Sequence, residues 1–288
     1  MAKKAFKSSR FSVTTRKKIF VYAILFLGAF ISLVPFVWMV STSLKNLGEA
    51  LGAAFFPSEL NFQNYAEAWR RAQFSEYFIN SILITLITLV GQVTFSVLAA
   101  YAFARMEFPG RDFIFSVMLS TIMIPAMVFI IPNFLTVTWL GRITPIPWIN
   151  NWPALTIPFM GNIFSIFMLK QFFAQVPDEL FDAAQMDGAG HLRFLWRVVM
   201  PLSKAPLMVI LVLSFIGTWN SLAWPMLVTN TPDWRPISVG LMNFVDEAGQ
   251  EINLTMAGAF ITIIPIMIIY FFTQKQFTES IARSGLKG

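Results

Sequence analysis

The sequence predicts an all-α polytopic membrane protein with six transmembrane helices. Of its 288 residues, 56% are hydrophobic and only 12% are charged, a composition typical of membrane proteins. Six charge-free runs approach or exceed the roughly 20 apolar residues that one helical span requires. The expected spans are residues 19–41, 78–104, 113–135, 152–169, 205–228 and 254–273, nearly half of the chain.

The distribution of Lys and Arg predicts the orientation of these spans. Six spans place both termini on the same side, and 16 of the 21 Lys and Arg residues lie in the two tails and after the second and fourth spans. Positively charged segments stay in the cytoplasm, so both termini are expected to be cytoplasmic. The net charge of +6 then reflects orientation and attraction to anionic lipids, and nucleic-acid binding is not expected.

The chain divides into a basic cytoplasmic tail (1–18), a single transmembrane domain (19–275) and a C-terminal cytoplasmic tail (276–288). The sequence has no Cys and one His. Neither a disulfide nor a metal site of thiolates or clustered histidines is therefore expected, and no cofactor is predicted.

The expected spans contain no Asp, Glu, Lys, Arg or His. Proton relays and ion pathways need such residues, so a proton-driven pump is disfavoured. Neutral amides and indoles remain, and these suit a neutral, polyhydroxylated solute. Bonding between helices is the alternative role, and we favour it for Asn80 and Gln92. The candidate residues of a translocation path are Asn133, Asn162, Trp219 and Asn220.

The segment at 174–204 is polar and lies between two apolar spans, so it is expected in water beside the membrane. Its pattern predicts a helix–turn–helix. Asp178 is the expected N-cap of the first helix, and Gly188 is placed to end that helix in a left-handed conformation. A second, amphipathic helix is expected at about 191–200, with Pro201 preventing a simple continuation into the next span. His191 is expected to be an ordinary exposed loop residue.

In this segment an acidic residue and two alanines (182–184) are followed by a glycine at 188 and by Val198-Val199-Met200-Pro201. This order and spacing resemble the EAA loop of ABC importer permeases, which docks into a partner ATPase. Asp stands at 182 where the family usually has Glu, and Met at 200 where it has Leu. From residues alone, an amphipathic loop resting on lipid headgroups is the alternative. The ATPase-coupling residues that the resemblance implies are Asp182, Ala183, Ala184, Asp187, Gly188 and Pro201.

The resemblance covers most of the chain and points to the carbohydrate branch of these permeases, with a type I ABC importer fold in a prokaryotic plasma (inner) membrane. It implies a second, non-identical permease, an ATPase dimer that binds ATP and Mg²⁺, an extracellular solute-binding protein and a sugar substrate. The chain itself contains no Gly-Lys dipeptide and hence no P-loop, so we expect a non-catalytic subunit. Contacts to the binding protein are implied for Asp246, Glu247, Gln250 and Glu251.

Three alternatives stay open on the sequence. A permease of the same fold could carry another neutral solute, such as a polyol or a glycerol-phosphate-type ester. A secondary transporter would need a coupling-ion site and usually internal symmetry, and neither is clear in this sequence. An integral membrane enzyme would need clustered acids, His or Cys, which the spans lack.

Overall fold

A computed structural model describes residues 9–246 and 249–285, which form a mainly helical chain. Short 3₁₀ turns and one π-helical turn (Leu195–Val199) interrupt or join the α-helices. The α-helices are α1 (Ser9–Ser43), α2 (Leu47–Ala50), α3 (Gln63–Arg71), α4 (Phe74–Arg105), α5 (Arg111–Ser120), α6 (Ile130–Ile143), α7 (Trp152–Thr156), α8 (Ile163–Phe173), α9 (Asp178–Met186), α10 (His191–Phe194), α11 (Met200–Leu202), α12 (Lys204–Trp219), α13 (Ala223–Val228), α14 (Ile237–Gly240) and α15 (Ile252–Gly285). Two-residue strands β1 (Val245–Asp246) and β2 (Gly249–Gln250) pair antiparallel.

The chain forms two compact units, and the first comprises residues 1–69 and 244–261. Asn64 organises its interior: its amide donates to the carbonyls of Ser43 (2.8 Å) and Lys45 (2.7 Å), and its oxygen accepts from Asn253 (3.3 Å). Lys45 is fully buried, with its ammonium 2.6 Å from the carbonyl of Ala54 and 4.6 Å from the ring centre of Trp38. These two polar side chains, Asn64 and Lys45, are tolerated in the interior because each is paired.

The second unit comprises residues 70–243 and 262–288, and α4 is its central helix. This helix packs against α8 and α12, and together they bury an aromatic and aliphatic core that includes Tyr101, Phe115, Leu169 and Phe194. Polar side chains follow one buried stripe of α4 at helical spacing: Ser81, Thr85, Thr88, Gln92 and Ser96.

The third expected span, 113–135, is not one continuous helix. Helix α5 ends at Ser120, two 3₁₀ turns follow (Thr121–Met123 and Ala126–Phe129), and α6 then continues to Ile143. The break falls at Pro125, which has no amide hydrogen to donate. Ile124 before it takes the extended conformation (ψ 124°) that a following proline favours.

The fourth and fifth expected spans are also broken. Helices α7 and α8 are separated by residues 157–162, which include the 3₁₀ turn Ile157–Phe159, and α12 and α13 are separated by residues 220–222. Among the described residues, four helices are long and apolar enough to cross a membrane: Lys17–Ser43, Phe74–Arg105, Ala126–Ile143 and Ile252–Gln274. Two further pairs of helical segments are bent at a short break. The bend is 40° between Trp152–Phe159 and Ile163–Phe173, and 83° between His191–Leu202 and Lys204–Trp219. If each pair forms one span, the number of spans is six.

Candidate functional site

The segment 174–204 folds as a helical elbow with one buried and one exposed face. Phe181 and Ala184 of α9 pack against the core of the second unit, together with Phe194 at the end of α10. Asp182, Ala183, Asp187 and Gly188 face solvent. The apolar face of this helix is buried and its polar face is exposed. This division explains why the sequence forms a short amphipathic helix at the protein surface.

The turn between α9 and α10 has the hydrogen bonds of a Schellman cap. Gly188 takes the left-handed conformation (φ +73°), as the sequence predicted. The amide of Gly188 donates to the carbonyl of Gln185 (2.9 Å), and the amide of Ala189 donates to that of Ala184 (2.8 Å). These two bonds satisfy carbonyls that the helix end leaves free. The turn is therefore closed by backbone bonds and needs no side chain to hold it.

The start of α9 differs from the prediction that Asp178 is its N-cap. Pro177 occupies the cap position, and Asp178 is the first helical residue. Its carboxylate accepts a hydrogen bond from the guanidinium of Arg105, and this ion pair takes the place of a capping bond. Proline suits the cap position because it offers no amide hydrogen that would need a partner there.

The second helix of the elbow begins as predicted at His191 but is not a uniform α-helix. Residues Leu195–Val199 form a π-helical turn, and α11 ends at Leu202, where Ser203 separates it from α12. Pro201 lies exposed within α11. Leu195 and Val199, at the two ends of the π turn, are both buried.

A cavity of about 310 Å³ lies within the second unit, beside the polar stripe of α4. Its lining is neutral: hydroxyls and amides alternate with aliphatic and aromatic side chains, and none of the described residues that line it is ionisable. The polar lining residues are Ser81, Thr85, Gln92, Asn162, Ser165, Ser214, Thr218, Ser221 and Trp224.

Of the four predicted path residues, Asn162 lines this cavity and also caps α8, its side-chain oxygen accepting from the Ser165 amide (2.8 Å). Trp219 is buried away from it, with its indole N–H donating to the Thr262 carbonyl (3.0 Å). Asn220 is exposed at the end of α12, and Asn133 is half-buried on α6. The structure therefore does not bring these four residues together.

Gln92 makes the bonds between helices that we favoured for it, whereas Asn80 is bonded internally but to a loop. Asn80 donates to the carbonyls of Asp233 (2.9 Å) and Arg235 (3.1 Å), in a loop instead of a neighbouring helix. Gln92 donates to the hydroxyls of Ser165 (3.2 Å) and Ser214 (2.7 Å), joining three helices. Gln92 also lines the cavity.

The predicted binding-protein contacts lie around the β1–β2 hairpin, with Asp246 in β1 and Gln250 in β2. Glu251 is half-buried before α15, and its amide donates to the Phe244 carbonyl (3.1 Å). Glu247 lies outside the described residues.

Residues 92–282 match the protein family described as "Binding-protein-dependent transport system inner membrane component". The chain belongs to this family.

Two curated relatives span nearly the whole permease. It is 29% identical to the diacetylchitobiose uptake system permease protein NgcG of Streptomyces coelicolor, over 92% of this chain and 88% of the relative. It is 30% identical to the sn-glycerol-3-phosphate transport system permease protein UgpE of Yersinia enterocolitica, over 92% and 96%.

A solved bacterial ABC transporter that imports the acidic polysaccharide alginate contains a chain with the same fold. The TM-score is 0.77 at 25% identity, covering 96% of this permease and 99% of that chain. A second alginate transporter structure, which includes a periplasmic protein, has a TM-score of 0.66 at 14% identity.

These comparisons confirm the prediction of an ABC importer permease with an all-α polytopic fold. The permease is the non-catalytic inner-membrane component of a binding-protein-dependent transport system.

Three residues that hold the elbow in place were not predicted from the sequence: Tyr101 and Arg105 at the end of α4, and His191 at the start of α10. His191 was expected to be an ordinary loop residue, and it is exposed, yet its ring stacks on Phe181 (4.8 Å) and bonds to the Tyr101 hydroxyl (2.9 Å). The four-residue spacing of Tyr101 and Arg105 was the available signal, since it places both on one face of α4.

Proposed function

We propose that this permease imports a sugar or oligosaccharide, driven by a partner ATPase that docks on the elbow at residues 174–204. In this proposal the ATPase dimer binds ATP and Mg²⁺. A second, non-identical permease completes the translocation path, and an extracellular solute-binding protein delivers the solute. The permease crosses the membrane six times with both termini in the cytoplasm.

The observation that carries the docking proposal is the two-faced elbow. Its inner face is held by the core through Phe181 and Phe194, so that an outer force on the elbow acts on the helical bundle. On the outer face, Ala183 and Gly188 are small and exposed, which lets a partner backbone approach closely. Asp182 and Asp187 offer negative charge to basic residues of a partner.

The substrate class is supported by the relatives and by the cavity. NgcG is named for a disaccharide, diacetylchitobiose. The arabinooligosaccharides transport system permease protein AraQ of Halalkalibacterium halodurans is 28% identical, over 90% of this chain and 93% of that protein. The neutral hydroxyls and amides of the cavity, interleaved with aromatic rings, suit the hydroxyl groups and apolar faces of sugars.

A glycerol-phosphate ester is the second candidate, favoured by the 30% identity to UgpE. A phosphate group is usually held by Arg or Lys, and neither occurs among the described residues that line the cavity. Uptake of a radiolabelled neutral disaccharide and of glycerol 3-phosphate by the assembled transporter distinguishes the two. Transport of glycerol 3-phosphate without disaccharide transport would overturn the sugar proposal.

Docking is tested with a matched pair of glycine variants in the assembled transporter. A Cβ atom added at Gly188 or at Gly190 has no neighbour within 4 Å, and only Gly188 has a positive φ. Gly188→Asp adds charge and distorts the capped turn, whereas Gly190→Asp adds the same charge at an N-cap position that accepts Asp.

We expect normal membrane insertion of both variants. Gly188→Asp should lose ATPase co-purification and solute uptake, and Gly190→Asp should keep most of both. Wild-type ATPase binding and uptake in Gly188→Asp would contradict the docking proposal.

A further inference from the structure

The C-terminal turn of α4 contacts both helices of the elbow. Tyr101 and Arg105 are one helical turn apart on this helix, so their side chains lie on the same face. Arg105 reaches Asp178 at the start of α9, and Tyr101 reaches His191 at the start of α10. Neither contact involves the exposed residues that are proposed to meet the ATPase.

Arg105 joins three chain segments through one guanidinium group. Its Nε donates to the carbonyl of Phe173 at the end of α8 (3.1 Å), and its terminal nitrogens donate to the carbonyl of Val176 and the carboxylate of Asp178. The Arg105 side chain is only 9% exposed. A buried, planar cation with several fixed partners holds its neighbours in one geometry, because moving any of them leaves charge or carbonyls unpaired.

Tyr101 makes the corresponding contact to α10. Its hydroxyl and Nδ1 of His191 lie 2.9 Å apart and share a hydrogen bond. The imidazole stacks on Phe181 of α9, with ring centres 4.8 Å apart and planes 24° apart. His191 thus links α4, α9 and α10, although the residue itself is exposed. Burial alone does not hold this ring in place, so its partners fix its position.

The same helix reaches the cavity without a break. Helix α4 runs from Phe74 to Arg105 with no internal proline. Gln92 lies nine residues before Tyr101, a distance of about 14 Å along a helix that rises about 1.5 Å per residue. Its side-chain amide ties Ser165 of α8 to Ser214 of α12 at the cavity wall. Helix α4 therefore connects the elbow to a side-chain bond that joins the helices around the cavity.

We propose that α4 transmits movement between the elbow and the cavity, and that Tyr101 and His191 are the positioning residues that attach the elbow to it. This inference rests on the proposed docking of the ATPase at the elbow. If the attachment is loosened, the ATPase still binds and hydrolyses ATP, but the elbow moves partly on its own. Each ATP hydrolysed then moves less solute.

The test uses side chains that separate the two contacts of His191. His191→Phe keeps a ring to stack on Phe181 and removes the hydrogen bond. His191→Asn removes the ring, and its amide oxygen falls close to the position of Nδ1, where it can accept from the Tyr101 hydroxyl. Tyr101→Phe deletes the same bond from the other side by removing one oxygen atom. Tyr270→Phe, at an exposed tyrosine of α15, is the matched control.

The complete transporter, in lipid vesicles with its ATPase and binding protein, provides three measurements: ATPase co-purification, ATP hydrolysis, and solute moved per ATP. In His191→Phe and Tyr101→Phe we expect wild-type co-purification and continued hydrolysis. Solute moved per ATP should fall about two- to tenfold, the range that one net hydrogen bond gives in an equilibrium. His191→Asn and Tyr270→Phe should keep the wild-type ratio. The double variant should be no worse than either single variant, because both delete one contact.

The inference would be overturned if His191→Phe and Tyr101→Phe both moved as much solute per ATP as the wild type. It would also be overturned if His191→Asn lost as much solute per ATP as His191→Phe, or if the losses of the two single variants added up in the double variant. Gly188→Asp, measured in parallel, separates the two proposals. If Gly188→Asp abolishes ATPase binding while His191→Phe stays fully coupled, docking stands and transmission through Tyr101 and His191 fails. If Gly188→Asp binds the ATPase normally, docking itself fails.

Discussion

Gly91 of α4 lies so close to Met160 that a Cβ atom at position 91 would come within 2.5 Å of the Met160 Cγ and Sδ atoms. Met160 follows the 3₁₀ turn Ile157–Phe159, in the break before α8. The missing side chain at Gly91 therefore makes room for the non-helical segment that precedes Asn162. A glycine in mid-helix costs stability, and close packing offsets that cost here.

Gly91→Ala is expected to destabilise the permease by about 1–3 kcal/mol, because the added methyl group overpacks a filled contact. Thermal unfolding of the detergent-solubilised protein measures the effect. Adding Met160→Ala removes the clashing atoms and should recover much of the loss. Gly217→Ala, where an added Cβ meets nothing within 4 Å, is the control and should melt at or above the wild-type temperature. An unchanged melting temperature for Gly91→Ala would show that Met160 moves aside without cost.

Asn150 connects two loops from a left-handed conformation (φ +59°). Its backbone amide donates to the Val228 carbonyl (2.7 Å), and its side-chain oxygen accepts from the backbone amides of Asn230 and Thr231 (3.0 Å each). Asn150→Ala should cost about 2–5 kcal/mol, the sum of the two net hydrogen bonds to the Asn230 and Thr231 amides and the left-handed penalty. Asn150→Gly keeps the backbone free and should lose less. The order of melting temperatures checks this, and equal values for Ala and Gly would rule out backbone strain.

Asn162 caps α8 and also forms part of the cavity wall, and two substitutions distinguish these roles. Asn162→Ala should lower stability by about 1 kcal/mol, whereas Asn162→Ser, which keeps a capping oxygen, should lose only a few tenths. If capping is its only role, uptake by Asn162→Ser should match the wild type. Impaired uptake at wild-type stability in this variant would instead place Asn162 on the solute path.

The proposed arrangement of six spans with cytoplasmic termini can be tested with single introduced cysteines, because the sequence has no Cys. Glu59 and Gln185 are both exposed, and the arrangement places them on opposite sides of the membrane. We expect Glu59→Cys to react with an impermeant maleimide in intact cells, and Gln185→Cys to react only after the membrane is opened. If Gln185→Cys reacted in intact cells, the orientation would be the opposite of the proposed one. The elbow would then lie outside the cell, where it cannot contact a cytoplasmic ATPase.

By itself, the sequence determined the class of fold, the elbow and its exposed turn. Apolar length and the Lys and Arg distribution are properties of the chain alone, since a lipid environment rewards them wherever they occur. Gly188 was equally local, because a left-handed helix end selects glycine whatever surrounds it. The family resemblance was recognised in the same stretch and extended over most of the chain, and the match over residues 92–282 confirms it.

Only the tertiary structure decided where the breaks in the spans fall and which polar residues meet. Of the prolines within the expected spans, Pro35 and Pro265 sit inside continuous helices, whereas Pro125 lies at a break. Trp219 and Asn162 looked equivalent in sequence, yet one bonds a backbone carbonyl in the interior and the other lines a cavity. Arg105, Tyr101 and His191 acquire their roles from partners 68 to 90 residues away. The physical reason is that a hydrogen bond depends on distance in space, and periodicity along the chain specifies faces but not the residues that oppose them.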